Sequence, residues 1–139
     1  MIATAVSSFG NIVIKDEVGL LSKDFVKQYE SQYKGSKKEI HVLIKQTIGD
    51  VNPTVYGANY LQEDDLGRKH GSGIVILIDM NKRRLQVIIG NRVEESYTDS
   101  QIHNIITSNM LKLLKENKLE NSIEFGIKES IKVLNEVVK

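Results

Sequence analysis

Residues 73–90 read GIVILIDMNKRRLQVIIG, and this stretch decides the fold class. It holds two runs rich in β-branched residues, GIVILIDM and RLQVIIG, which are joined through the polar segment NKRR. Two such runs with a short polar connection predict an antiparallel β-hairpin. The first run is apolar at nearly every position, which is typical of a strand that is covered on both faces. We therefore expect this hairpin to lie in a sheet with helices on both sides.

The chain before the hairpin alternates between strand and helix patterns. NIVIKD (11–16) predicts an edge strand, and EIHVLIKQTI (39–48) predicts a second strand. Between them, SKDFVKQYESQYKG (22–35) predicts a helix. Ser22 suits its N-cap because the hydroxyl can accept hydrogen bonds from first-turn amides, and Gly35 suits its end.

Three further helices complete the predicted architecture. NPTVYGANYLQEDDLG (52–67) begins with an N-cap asparagine and a proline and ends in a glycine. TDSQIHNIITSNMLKLLKEN (98–117) has Thr98 and Gln101 at the spacing of a capping box. NSIEFGIKESIKVLNEVV (121–138) repeats apolar residues at helical spacing. This order of elements predicts one α/β domain over all 139 residues, a Rossmann-like three-layer α/β/α sandwich on a small mixed sheet of about four strands.

Composition and charge exclude several classes of function. The net charge of +1 provides no general field toward nucleic acid or anionic membranes. The absence of cysteine excludes thiol catalysis, disulfides and thiolate zinc sites. No apolar run approaches the roughly 20 residues that span a bilayer, so we expect no direct membrane insertion. The N-terminus MIATAVSSFG lacks the basic segment of a signal peptide. As the sequence stands we expect a cytoplasmic protein, and an exported or membrane-associated one if a signal or anchor has been removed.

The glycines, serines and histidines match no common catalytic motif. GRKHGSG (67–73) leaves a predicted helix and enters a strand, whereas a dinucleotide fingerprint follows a strand and opens a helix. No Walker pattern and no G-x-S-x-G motif occurs. The histidines at 41, 70 and 103 lack the four-residue spacing of a helical zinc site. We therefore predict no catalytic and no nucleotide-binding residues.

Six acidic residues flank the hairpin and form the main candidate site. They are Glu63, Asp64 and Asp65 before it and Glu94, Glu95 and Asp99 after it. In a hairpin the start of the first strand lies beside the end of the second, so both groups belong to one edge of the sheet. Their mutual repulsion would be relieved by a hard cation with oxygen ligands, and Ca²⁺ accepts such ligands from irregular loops.

A second acidic group competes with the first. Asp16, Asp50 and Asp79 each follow a strand at the opposite edge of the predicted sheet. Open α/β sheets usually bind ligands at the carboxyl ends of their parallel strands. Asp99 also has a purely structural explanation, because negative charge is favoured at a helix N-terminus. Sequence alone leaves both edges open.

The order and spacing of several motifs resemble the TPM domain family. The motifs are DEVGLLS (16–22), a helix, IHVLIKQTI, a helix that ends in LG, and GSGIVILIDMNKRRLQVIIGNRVEESYTD (71–99). The positions on the family's pattern are Asp16, Gly67, Gly73, Arg84, Gly90, Glu94 and Asp99. Two departures stand out: Gly71 and Ser72 replace a frequent Asp-Asn pair, and Arg92 replaces a glycine.

The resemblance implies a Rossmann-like fold that does not bind nucleotides in the usual way. It also implies binding of a divalent cation, calcium above all, with magnesium or another divalent ion as alternatives. One plant relative in the thylakoid lumen is linked to photosystem II repair and to acid phosphatase activity. We therefore predict a non-enzymatic cation-binding or scaffold module whose protein partner is unknown. The alternative is a metal-dependent acid phosphatase, in which the cation polarises the phosphoryl group. The predicted metal ligands are Asp16, Asp64, Asp65, Glu94 and Asp99.

Overall fold

Four strands form one mixed sheet in the order β1-β2-β3-β4. The computed structural model describes residues 12–32, 39–63 and 73–137. The strands are β1 (Ile12–Asp16), β2 (Glu39–Lys45), β3 (Gly73–Asp79) and β4 (Arg84–Ile89). The first three are parallel and β4 is antiparallel to β3, which confirms the predicted hairpin. β2 ends at Lys45, before its predicted end at Ile48, and the chain then turns through Gly49, where φ is 69°.

Helices connect and follow these strands. They are α1 (Lys23–Gln32), α2 (Pro53–Glu63), α3 (Asn91–Glu94), α4 (Asp99–Ile102), α5 (Ser108–Lys115) and α6 (Leu119–Val137), with a π-helical segment, His103–Thr107, between α4 and α5. The predicted N-caps are confirmed. Ser22 Oγ accepts from the Phe25 amide at 3.1 Å, Asn52 Oδ1 accepts from the Thr54 amide at 2.8 Å, and Thr98 forms its capping box. The predicted helix ends at glycines 35 and 67 lie outside the described residues.

The sheet is covered on both faces, which confirms the three-layer prediction. On one face, α2 packs its tyrosines and Leu61 against a small cluster that includes Leu43, Val75 and Ile88. On the other face, α1 and the helices that follow β4 enclose the larger core. Every residue of β3 is buried, as expected for a strand between two helical layers.

Two glycines allow helices to approach their neighbours closely. A Cβ atom at Gly57 on α2 would lie 2.3 Å from Ile88 Cδ1 on β4. A Cβ atom at Gly126 on α6 would lie 2.5 Å from Met110 Sδ on α5. Both helices therefore sit nearer to the elements beneath them than any residue with a side chain would allow.

Two local features differ from the sequence prediction. Residues 91–94 form the short helix α3 where a loop was predicted, because Val93 is fully buried and draws the segment against the core. The helix predicted from Thr98 contains the π-helical segment, across which the buried residues Ile102, Ile106 and Met110 follow one another at four-residue spacing.

The topology gives the sheet two distinct edges. The carboxyl edge is formed by the ends of the parallel strands at Asp16, Lys45 and Asp79, with the start of β4. The amino edge is formed by the starts of the parallel strands and by Ile89 at the end of β4. Because β3 has seven residues, the two edges lie roughly 20 Å apart. Within the described ranges, no helix combines the length and the apolarity that crossing a membrane requires.

Candidate cation site

The loop that leaves β4 is attached to the amino edge. The Gly90 amide donates to the Gly73 carbonyl oxygen at 2.8 Å, so the start of β3 and the end of β4 meet there, as the sequence predicted. The amide of Glu94 then donates to the Gly90 carbonyl at 3.0 Å, which forms the first turn of α3. The acidic loop therefore starts from a defined point on the sheet.

Contacts with the C-terminal end of α6 hold the same loop. Arg92 Nε donates to the Val137 carbonyl oxygen at 3.3 Å, where a cation also interacts favourably with the negative end of the helix dipole. The Tyr97 hydroxyl donates to the Glu136 carboxylate, and this hydrogen bond, together with burial, raises the pKa of Tyr97. Val93, in the same loop, is completely buried. The loop after β4 is thus held in place by α6. Arg92, which departs from the family pattern, forms one of the contacts that hold it.

Glu94 and Asp99 lie in this loop, and both residues are exposed. Glu94 is the last residue of α3, and Asp99 is the first residue of α4, directly after the Thr98 cap. Neither side chain forms a hydrogen bond or ion pair with another described residue, and the same holds for exposed Glu95. No described side chain therefore competes with a cation for these oxygens.

Asp16, on the carboxyl edge, already has backbone partners for both carboxylate oxygens. Oδ1 accepts from the Gly19 amide at 2.8 Å, and Oδ2 accepts from the Leu21 amide at 2.7 Å. Gly19 has a φ of 76°, which a residue with a Cβ rarely adopts. The Asp-x-x-Gly-x-Leu spacing is thereby explained as a turn that Asp16 organises before α1.

The other acids of the carboxyl edge are also engaged. Asp79 is 1% exposed, accepts from the Lys82 amide at 3.3 Å and pairs with Arg84 Nη2 at 3.5 Å. Asp50 lies 3.5 Å from Lys82 Nζ. A cation at this edge would have to displace these protein contacts.

The structure separates the five predicted ligands. Asp16 lies on the carboxyl edge, whereas Glu94 and Asp99 lie on the amino edge, so one ion cannot bind all three. Asp64 and Asp65 lie outside the described residues, in the segment that leads into Gly73. In the part of the chain that the structure describes, no group of three or more His, Cys, Asp or Glu side chains is placed to hold a metal ion. A site at the amino edge would therefore need ligands from residues 64–72.

Sequence reasoning did not identify the residues that support the acidic loop. Arg92 and Tyr97 act through hydrogen bonds to α6, which lie 45 and 39 residues further along the chain, and Val93 acts through its burial in the core. The sequence signal that could have indicated these residues is the presence of large side chains inside an otherwise polar segment.

Comparisons with known proteins agree with this architecture. The TPM domain model matches residues 14–133. The N-terminal domain of a protein from P. gingivalis has a TM-score of 0.74 and 19% identity, over 88% of this chain and 81% of that one. BA42 protein from Bizionia argentinensis has a TM-score of 0.62 and 11% identity, over 72% and 68%. The N-terminal domain of cg2496 protein from Corynebacterium glutamicum has a TM-score of 0.61 and 15% identity, over 92% and 80%.

At these identities the structural likeness concerns the fold alone. The search of curated proteins gives no match. The family model, however, covers most of the chain, from within β1 to within α6. The chain therefore belongs to the TPM domain family.

Proposed function

We propose that this protein is a non-enzymatic binding module that takes a divalent cation, calcium first, at the amino edge of its sheet. Glu94 and Asp99 supply two of the ligands, and Asp64 and Asp65 supply the others. Carboxylate oxygens are the ligands that calcium prefers, and calcium tolerates the irregular geometry of two loops.

The proposal depends on one observation, the difference between the two edges. At the amino edge, Glu94 and Asp99 are exposed and form no side-chain contact with another described residue. At the carboxyl edge, Asp16 and Asp79 already accept hydrogen bonds from the protein. An ion at the amino edge would displace no side-chain contact among the described residues, whereas an ion at the carboxyl edge would disrupt a turn or an ion pair.

The support that α6 gives to the loop favours the same site. Arg92 and Tyr97 hold the segment between α3 and α4, so little conformational entropy is lost when Glu94 binds an ion. A divalent cation bound by these carboxylates would also offset their negative charge.

A calcium titration followed by amide NMR tests the location. We expect saturable, EDTA-reversible shifts in residues 64–72 and 90–99, with the carboxyl edge unchanged. We also expect a higher melting temperature, since a ligand at 100 times its Kd stabilises the native state by about 2.7 kcal/mol. No shift at millimolar calcium, or shifts confined to the turn after Asp16, would overturn the proposal.

Charge-neutral variants test the ligands. Glu94→Gln and Asp99→Asn should each weaken calcium binding, while Glu95→Gln, a matched change in the same exposed segment, should not. Equal weakening by all three would indicate a diffuse electrostatic effect. Hydrolysis of p-nitrophenyl phosphate that needs the cation and is lost in Glu94→Gln would contradict the non-enzymatic assignment and support the phosphatase alternative.

A further inference from the structure

A cavity of about 620 Å³ opens at the carboxyl edge, away from the proposed cation site. It lies between the β3–β4 hairpin and the end of α5. Its apolar wall includes Ile78 from β3, Leu111 and Leu114 from α5, and Leu119 from α6. This volume is in the range of about 300–1,000 Å³ that is typical of small-molecule sites. Its place at the ends of parallel strands is also where open α/β sheets bind ligands.

Among the described residues, three basic side chains line the same cavity and no acidic one does. Neither Arg83 nor Lys115 forms a side-chain hydrogen bond or ion pair with another residue that the structure describes. Arg84 pairs with Asp79 through Nη2, but its Nε is buried and has no partner among the described residues. A buried donor without an acceptor is unfavourable. The cavity thus combines an apolar wall with positive charge that the described protein groups only partly neutralise.

The backbone at Arg83 is strained. Its φ is 50°, in the left-handed region, where glycine or asparagine would be more stable than arginine. Asn117, also on the cavity, has a φ of 60°, but it ends α5 in a Schellman motif, with Lys118 N bonded to the Leu113 carbonyl. Helix termination therefore explains the positive φ of Asn117. The positive φ of Arg83 has no such explanation, and this residue places a guanidinium at the cavity at a conformational cost.

We propose that this cavity binds an amphipathic organic anion. A phosphate or carboxylate head group pairs with Arg83, Arg84 and Lys115, and an acyl or aromatic body packs against the leucines. Arginine suits such head groups because its planar guanidinium donates to two oxygens at once.

Binding of short amphiphiles below their micellar concentration tests this proposal. We expect octyl phosphate and octanoate to bind with amide shifts in residues 78–84 and 111–119. Each should bind at least tenfold more tightly than inorganic phosphate, which lacks the chain, or octyl glucoside, which lacks the charge. Equal binding of octyl glucoside, or shifts confined to residues 90–99, would overturn it. Co-sedimentation with phosphatidylcholine vesicles that contain phosphatidic acid then distinguishes a lipid source of the anion from a free one.

Variants separate ligand binding from folding. The double change Arg83→Gln with Lys115→Gln should lower the affinity for octyl phosphate at least tenfold, because two charge-assisted contacts are lost. Lys112→Gln, exposed on the same helix but absent from the cavity, should change it less than twofold. Arg83→Gly removes one cation and relieves the strain, so affinity should fall while the melting temperature does not. Unchanged affinity in the double variant would refute the site.

Discussion

Replacing Asp16 by asparagine separates a structural role from a ligand role at a position that the family pattern singles out. Asp16 holds two backbone amides, those of Gly19 and Leu21, at 2.8 and 2.7 Å. Asparagine keeps one acceptor oxygen but presents an NH₂ group to the other amide. The variant therefore loses one charge-assisted hydrogen bond. It also places the donor NH₂ group of the side chain opposite a backbone N–H donor.

The expected cost follows from these contacts. A hydrogen bond to a charged group contributes about 1.5–3 kcal/mol, and a buried donor that loses its partner costs a similar amount. Leu21 is only 9% exposed, so water compensates poorly if its amide loses the carboxylate. We expect Asp16→Asn to lower the free energy of unfolding by about 2–3 kcal/mol. For a domain of this length, that corresponds to a fall of roughly 6–12 °C in Tm.

Urea unfolding and thermal melting, each with calcium and with EDTA, measure this effect. We expect the midpoint to fall by the same amount in both conditions, with the calcium-induced shift of Tm retained. Asp24→Asn, an exposed change in the first turn of α1, is the control and should cost less than about 1 kcal/mol. If Asp16→Asn keeps its stability in EDTA but loses the calcium response, Asp16 is a ligand and the reasoning fails.

Three further changes test the packing, a helix cap and a buried phenol. Gly57→Ala should cost about 1–3 kcal/mol in urea unfolding, because the new Cβ would lie 2.3 Å from Ile88 Cδ1. Thr98→Ala should cost about 1 kcal/mol in the same assay, because the N-cap acceptor of α4 is lost. Burial and a hydrogen bond to Glu124 raise the pKa of Tyr29 from 10.0 to about 12. Its neutral phenol therefore stabilises the fold fully below pH 10, and this contribution is lost between pH 10 and 12. Tyrosinate absorbance of the five tyrosines should include one late step near pH 12, above the ordinary phenol pKa of 10.0, and this step should disappear in Tyr29→Phe.

Each of these predictions has its own control. Gly57→Ala combined with Ile88→Ala should cost less than the sum of the two single changes, because the shorter side chain makes room. Additive costs would contradict the clash. Thr98→Ser keeps the acceptor and should stay near the native stability, so an equal loss in both variants would refute the capping argument. If the signal lost in Tyr29→Phe is a step near pH 10 and the late step remains, the pKa of Tyr29 is not raised and the argument fails.

Local patterns carried much of the fold prediction. Two β-branched runs around NKRR predicted the hairpin, and Ser22, Asn52 and Thr98 predicted three helix starts, because a strand run and a helix cap each involve residues within a few positions of one another. The short helix α3 and the π-helical segment were missed. Both depend on how Val93 and the isoleucines of the next helix meet the core, which no local spacing reveals.

The carboxylates and basic residues show the limit of the sequence for function. By itself the sequence placed two acidic groups at opposite edges of a sheet and showed a resemblance to the TPM family. Only the tertiary structure decided that Asp16 and Asp79 already have partners, whereas Glu94 and Asp99 have none among the described residues. Only the tertiary structure brings the basic hairpin turn beside the end of α5, where the two segments line a cavity. The physical reason is that a carboxylate or a guanidinium is chemically the same at every position, and its role depends on the hydrogen bonds, charges and solvent that distant parts of the chain bring to it.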